Sequence, residues 1–328
     1  MRLYSYIFSL FFTLLIFQLD ATTVTDFRET AIGNQLINNT ITAITRDGDG
    51  FLWLATREEL VRFDGISYTY PTGDVNRTLF KGENVVQKLY FQAPDKLYIC
   101  SNLGLYIFNI RNHKLTPIQS FAGVRINSIV FTKSGIMIIN SVEGLVYFDP
   151  KNEKKELFVH FSKNKESNLF PLGTSAVTDS YGNLWVYANN LLLHLSHSRG
   201  IINATNPVAA TSIHIDTLQS LKTPHQLFVD KFNILWWWDR QSLKSGQITP
   251  LNTLEPLNTS IVEATSLAAQ GNNIIFCDRG HGNILIGRNE KGEEIGRQKI
   301  LLNDQFDDLS NTTNAFYSDP DNRIFTKS

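Results

Sequence analysis

The chain has 328 residues, of which 42% are hydrophobic and 19% are charged, a composition typical of a globular protein with a large core. Its 30 basic and 31 acidic residues leave a net charge of −1, so charge favours neither nucleic acid nor an anionic membrane as a partner. Two cysteines are too few for a disulfide-stapled scaffold or a four-cysteine zinc module. The sequence indicates no metal site and no cofactor.

The first residues have the pattern of a secretory signal peptide. Arg2 supplies the positive end, residues 7–17 form an apolar run, and Ala21 is a small residue at a plausible cleavage point. An uncleaved signal anchor is the alternative, but the run is short for a bilayer span of about 20 residues. We therefore predict a signal peptide over residues 1–21 and an exported mature chain from residue 22.

An internal repeat organises residues 22–328. An aromatic or apolar anchor recurs at intervals of 40 to 51 residues. This period is typical of the blades of a β-propeller. The anchors are Trp53, Tyr98, Ile138, Trp185, Trp236, Phe276 and Phe325.

Each unit predicts three short strands joined by tight turns. In the first unit Asp47 stands six residues before the anchor, Gly50 three before it and Leu60 seven after it. Asp and Gly favour a turn there, and apolar residues on both strand faces favour a sheet that lies between two others. We predict an all-β fold, a seven-unit β-propeller with an incomplete last blade, because Phe325 lies three residues before the last residue. Residues 24–30 are a candidate closing strand, and the chain is expected to be the front part of a longer protein or a truncated gene product.

Residues 36–71 carry the most specific motif in the chain. They read LINNTITAITRDGDGFLWLATREELVRFDGISYTYP. The run resembles the two-component regulator propeller repeat, with Ala55 and Glu59 in place of two usual glycines. Fainter copies occur at 179–185 and 230–236.

This resemblance implies a function in signalling. Such repeats, after a signal peptide, are similar to the periplasmic sensor portion of hybrid two-component histidine kinases of the glycan-sensing type. The resemblance implies an oligosaccharide ligand, control of glycan-utilisation genes and a homodimer in the full-length parent. This chain has no kinase region, so we predict no enzymatic activity and no catalytic residue. A secreted lectin-like or protein-binding propeller and a secreted glycan-cleaving propeller enzyme are the alternatives.

The run Trp236-Trp237-Trp238-Asp239-Arg240 is the most suggestive local feature. Trp236 is an anchor and Trp237 points to the opposite sheet face, so both are expected in the core. Trp238, Asp239 and Arg240 follow at the strand end, where propeller loops open to solvent. They are the candidate ligand-binding residues, and an ion pair between blades is the plainer interpretation of Asp239.

Other residues that invite a chemical role have simpler interpretations. Repeated carboxylates could catalyse glycoside hydrolysis, but their common place before the anchor favours a turn. They are Asp47, Asp179, Asp230 and Asp319. His194 and His197 point to opposite faces of a strand and make a poor metal clamp. Cys100 and Cys277 fall in distant units, and we predict two buried free thiols.

Overall fold

The computed structural model describes residues 41–131, 137–160, 175–188, 191–197, 213–220, 227–239, 242–250, 253–262, 264–278, 282–300, 315–318 and 324–327. All of them belong to the second of the two units into which the chain divides, Ile32–Ser328. The predicted signal peptide and the candidate closing strand over 24–30 lie outside the described residues. None of the helices in the described ranges is long and apolar enough to cross a bilayer.

The described residues form six four-stranded sheets and one two-stranded sheet, each antiparallel and in chain order. The strands of the first three sheets are β1 (Ala43–Arg46), β2 (Leu52–Ala55), β3 (Leu60–Phe63), β4 (Tyr68–Thr69), β5 (Val86–Gln92), β6 (Lys96–Ser101), β7 (Gly104–Asn109), β8 (Lys114–Pro117), β9 (Ile126–Phe131), β10 (Met137–Ser141), β11 (Gly144–Asp149) and β12 (Lys154–His160).

The remaining strands follow the same order. They are β13 (Ser175–Thr178), β14 (Leu184–Ala188), β15 (Leu191–His197), β16 (Ile213–Ser220), β17 (Phe228–Val229), β18 (Ile234–Asp239), β19 (Ser242–Ile248), β20 (Leu254–Val262), β21 (Ala264–Gln270), β22 (Asn273–Asp278), β23 (Gly282–Arg288), β24 (Glu294–Ile300), β25 (Ala315–Ser318) and β26 (Ile324–Lys327). A short helix, Val75–Leu79, and a 3₁₀ turn, Gln119–Phe121, connect the first three sheets.

Neighbouring sheets meet through their first strands. β1 contacts β5, β5 contacts β9, β9 contacts β13, β13 contacts β17, and β21 contacts β25. The first strand of each sheet is therefore the innermost, and the fourth strand is the outer edge. Radial sheets around a shared axis are the architecture of a propeller, and the all-β propeller fold is confirmed.

The core lies between consecutive sheets, as strands with two apolar faces predict. Trp53 and Leu97 belong to the cluster between the first and second sheets, and Tyr98 and Ile139 to the cluster between the second and third. The five anchors whose side chains are described are all buried, and Ile138 and Phe325 lie on the second strands of their sheets. Burial of the anchors is thus confirmed where the side chain is described, and the count of seven blades stays a prediction.

Candidate functional site

A buried aspartate closes the first turn in three of the sheets. In the first sheet, Asp47 Oδ1 accepts hydrogen bonds from the backbone N–H groups of Asp49 and Phe51, both at 3.0 Å. Asp47 Oδ2 accepts a hydrogen bond from Trp53 Nε1 at 2.9 Å. We call this arrangement the Asp–Trp turn. It recurs with the same 2.9 Å distance in the pairs Asp179–Trp185 and Asp230–Trp236.

The Asp–Trp turn explains the interval of six residues between the aspartate and the anchor. The turn reverses the chain, so the indole of the following strand returns over the carboxylate. The carboxylates of Asp47, Asp179 and Asp230 are each bound by turn N–H groups and by an indole. This confirms the turn interpretation for the three residues. Asp319 lies outside the described residues.

Arginine side chains form ion pairs with two of these turn aspartates, one from the same sheet and one from the next sheet. Arg62 Nε of the same sheet binds Asp47 Oδ2 at 3.2 Å. Asp230 is instead bound from the next sheet by Arg288 Nη1, at 2.6 Å, and both side chains are buried. Arg288 begins the charged run 288–299, whose composition by itself favours a solvated hairpin. Arg288 is nevertheless buried, against a buried carboxylate of the neighbouring sheet.

The two tryptophans expected in the core are buried there. Trp236 packs with Leu243 and Phe276 between the fifth and sixth sheets. Trp237 packs with Trp185 on the opposite face, between the fourth and fifth sheets. The sequence prediction for both residues is confirmed.

The candidate ligand residues lie where β18 ends. Trp238 and Asp239 pair through their backbones with Leu243 and Ser242, their side chains lie outside the described part, and Arg240 lies outside it entirely. The repeat nevertheless gives a comparison. In the first three sheets the residues at the place of Trp238, two after the anchor, are buried, namely Ala55, Cys100 and Asn140.

The place of Asp239 is buried as well in those sheets. It carries Thr56, Ser101 and Ser141, three residues after the anchor. Ser101 shows their role, since its Oγ donates to the backbone oxygen of Gly104 at 3.0 Å and accepts from the N–H of Leu103 at 3.2 Å. The repeat therefore favours a turn role for Asp239, and a ligand role for the three residues stays a prediction.

A second group of polar side chains, Gln87, Arg125 and Asn127, lies at the end of the sheets where the innermost strands begin. The turns between second and third strands lie at the same end. We call this end of the sheets the start face. Arg125 Nη2 donates to Gln87 Oε1 of the preceding sheet at 3.4 Å. Arg125 Nε donates to Asn127 Oδ1 at 3.3 Å. Two amides and a guanidinium are thus brought together across two sheets.

Gln87 and Asn127 reach this face because the strands bulge there. In β5 the pairing register shifts between Val86 and Lys88, and β9 shifts at the equivalent point around Asn127. A bulge leaves the extra residue without a cross-strand partner and redirects its side chain. Both bulged side chains are half-buried.

Lys88, next to the first bulge, has an unusual environment. Its side chain keeps substantial exposure. Desolvation by the surrounding protein nevertheless lowers the pKa of Lys88, with a smaller opposing effect from Cys100. Lys88 lies on β5, the innermost strand of the second sheet.

Sequence reasoning missed this group although the signal was present. The residue eleven before the anchor is polar in every unit. These residues are Thr42, Gln87, Asn127, Thr174, His225, Thr265 and Asn314. The residues singled out from the sequence follow the anchor, whereas these polar residues lie at or just before the start of the first strand.

The remaining candidates have structural surroundings. His194 is buried and stacks on Trp185, with ring centroids 4.3 Å apart. Cys100 and Cys277 are buried free thiols, as predicted. Within the described ranges no three His, Cys, Asp or Glu side chains are grouped as metal ligands would be.

One segment of the chain matches a known family. Residues 35–58 match the model of the two component regulator propeller family. The chain carries a two component regulator propeller repeat. The matched segment contains the Asp–Trp turn of the first sheet. No curated protein matches the sequence.

Several solved structures share the fold of this chain. The extracellular domain of the hybrid two component system BT4673 from B. thetaiotaomicron is 12% identical, with a TM-score of 0.65, over 89% of this chain and 37% of that one. The corresponding domain of BT3049, from the same organism, is 15% identical, with a TM-score of 0.59, over 89% and 39%. This chain therefore spans less than two fifths of either domain.

An enzyme shares the fold too. A streptogramin B lyase is 13% identical, with a TM-score of 0.57, over 89% of this chain and 92% of the lyase. At these identities each likeness concerns the fold alone, so function has to be argued from the repeat and from the side chains.

Proposed function

We propose that this chain is the extracytoplasmic ligand-recognition propeller of a two-component sensor. The observation that carries the proposal is the regulator propeller repeat at residues 35–58. The extracellular sensor domains that share the fold support it. In this proposal residues 1–21 direct export to the periplasm, and the chain recognises a signal without transforming it.

The ligand in this proposal is an oligosaccharide. Support comes from the resemblance of residues 36–71 to glycan-sensing regulators and from the amide side chains at the start face, since amides hydrogen-bond hydroxyl groups. In the longer protein, ligand binding would change the packing of a homodimer and thereby regulate glycan-utilisation genes. A ligand shifts such an equilibrium only by its difference in affinity for the two states.

The state of the carboxylates supports a non-catalytic role. Asp47, Asp179 and Asp230 are each held by turn N–H groups and by an indole, so they are poorly placed to act as the acid and base of a glycosidase. The likeness to a lyase concerns the fold, which carries many functions. A lectin-like or protein-binding propeller remains the alternative within the non-catalytic class.

We also propose that seven units surround one axis. The seven anchor positions and the contacts between successive first strands support this count. A crystal structure of the exported chain would count the sheets directly, and five or six around the axis would refute it.

The function is tested by binding and by turnover on one preparation. The exported chain is titrated by calorimetry against a panel of neutral and acidic oligosaccharides, and each saccharide is then chromatographed after prolonged incubation. We expect saturable binding of at least one saccharide, recovered unchanged. Cleavage of any saccharide, or no binding across the panel, would contradict the proposal.

A further inference from the structure

The start face carries two cations that no described carboxylate neutralises. Arg125 is held by the amide oxygens of Gln87 and Asn127, which carry no net charge. Lys88 is adjacent to Gln87 in β5 and forms no ion pair with a described residue. The buried guanidinium of Arg288, by contrast, is matched by the carboxylate of Asp230, whereas the two hydrogen-bond partners of Arg125 are neutral amides.

The two cations face the same boundary between sheets. Tyr90 lies two residues after Lys88, on the same face of β5, and its ring packs edge-on against Phe131 of β9 at 5.9 Å. The face of β5 that carries Lys88 is therefore turned toward the third sheet, where Arg125 directly precedes β9. Desolvation lowers the pKa of Lys88, and a perturbed pKa beside other polar groups marks a candidate functional position.

We propose that the start face between the second and third sheets binds the carboxylate of an acidic saccharide, with Lys88 and Arg125 holding the carboxylate and Gln87 and Asn127 the neighbouring hydroxyls. Arg125 is preorganised by its two amide partners, and a guanidinium pairs well with a carboxylate. The inference rests on the proposed function and narrows its ligand from oligosaccharides in general to those that contain a uronate.

Calorimetry with matched saccharides tests the proposal. The wild-type chain is titrated with trigalacturonate and with the neutral galactotriose, and sodium sulfate serves as a simple anion. We expect trigalacturonate to bind about tenfold or more tightly than galactotriose, since a charge-assisted hydrogen bond outweighs a neutral one. Equal binding of the two trisaccharides would overturn the proposal, and so would sulfate that binds as tightly as trigalacturonate.

Variants locate the binding site. Lys88→Gln and Arg125→Gln should each weaken trigalacturonate binding about tenfold to hundredfold. Lys114→Gln removes an exposed lysine from the outer strand of the second sheet and should change nothing. Thermal unfolding confirms that each variant is folded. Unchanged affinity in both start-face variants would refute the site.

A labelling experiment gives a second readout that does not depend on folding of a variant. Lys88 in the wild-type chain should react with an amine-directed acylating reagent, and trigalacturonate should protect it while galactotriose does not. Protection by neither saccharide refutes the acidic ligand. If neutral saccharides bind and trigalacturonate does not, this inference fails while the sensor proposal survives; if no saccharide binds, both fail.

Discussion

Replacing Asp230 by Asn should be far more destabilising than the same change at Asp179. Asp230 Oδ2 accepts hydrogen bonds from Trp236 Nε1 at 2.9 Å and from Arg288 Nη1 at 2.6 Å, in a site without solvent exposure. Asp179 Oδ2 accepts from Trp185 Nε1 at 2.9 Å and from Asn183 Nδ2 at 3.0 Å, both neutral donors.

The magnitudes follow from the partner that each substitution leaves behind. In either variant the amide oxygen can still accept the turn N–H groups, and the NH₂ group then faces an indole N–H. For Asp179→Asn this loses hydrogen bonds to a charged acceptor, about 1.5–3 kcal/mol. Asp230→Asn also leaves the buried guanidinium of Arg288 without its carboxylate partner. Breaking a buried ion pair in this way costs about 3–5 kcal/mol of folding stability.

The assay is urea unfolding of the exported chain followed by tryptophan fluorescence, with both variants measured beside wild type. Adding Arg288→Met to Asp230→Asn should recover part of the loss, because the unpaired cation is removed. Costs for the two Asn variants that agree within about 0.5 kcal/mol, or a double variant whose cost equals the sum of the single ones, would refute this reasoning.

Three further outcomes are expected. Trp53→Phe should cost about 1.5–3 kcal/mol in urea unfolding because Asp47 loses its indole donor, and a neutral result would show that the bond is dispensable. Cys100 and Cys277 should resist Ellman's reagent in the folded chain and react after denaturation, since both thiols are buried; rapid native labelling would contradict this. Burial, with a smaller effect of Glu156, raises the pKa of Tyr147 to about 12, so the unfolded tyrosine loses its proton first and stability should fall between about pH 10 and 12. Tyr147→Phe should flatten that fall, and an unchanged pH profile would exclude Tyr147 as its source.

The sequence by itself determined the unit of the fold. A turn former six residues before an aromatic, with apolar residues on both sides of each strand, predicted sheets that pack face to face, and the anchors whose side chains are described are buried. The carboxylate turns were also readable from the sequence, since the turn N–H groups and the indole that bind Asp47 lie within seven consecutive residues. Local interactions of this kind repeat whenever the local sequence repeats.

Contacts between units were decided by the tertiary structure. The ion pair of Arg288 with Asp230 joins residues 58 apart. The sequence repeat does not predict this partner, because the equivalent carboxylate of Asp47 binds Arg62 of its own sheet. The hydrogen bond of Arg125 to Gln87 likewise depends on where β5 and β9 meet. Desolvation and charge pairing are set by distances in space, so the polar start face emerged only once the sheets were arranged around their axis.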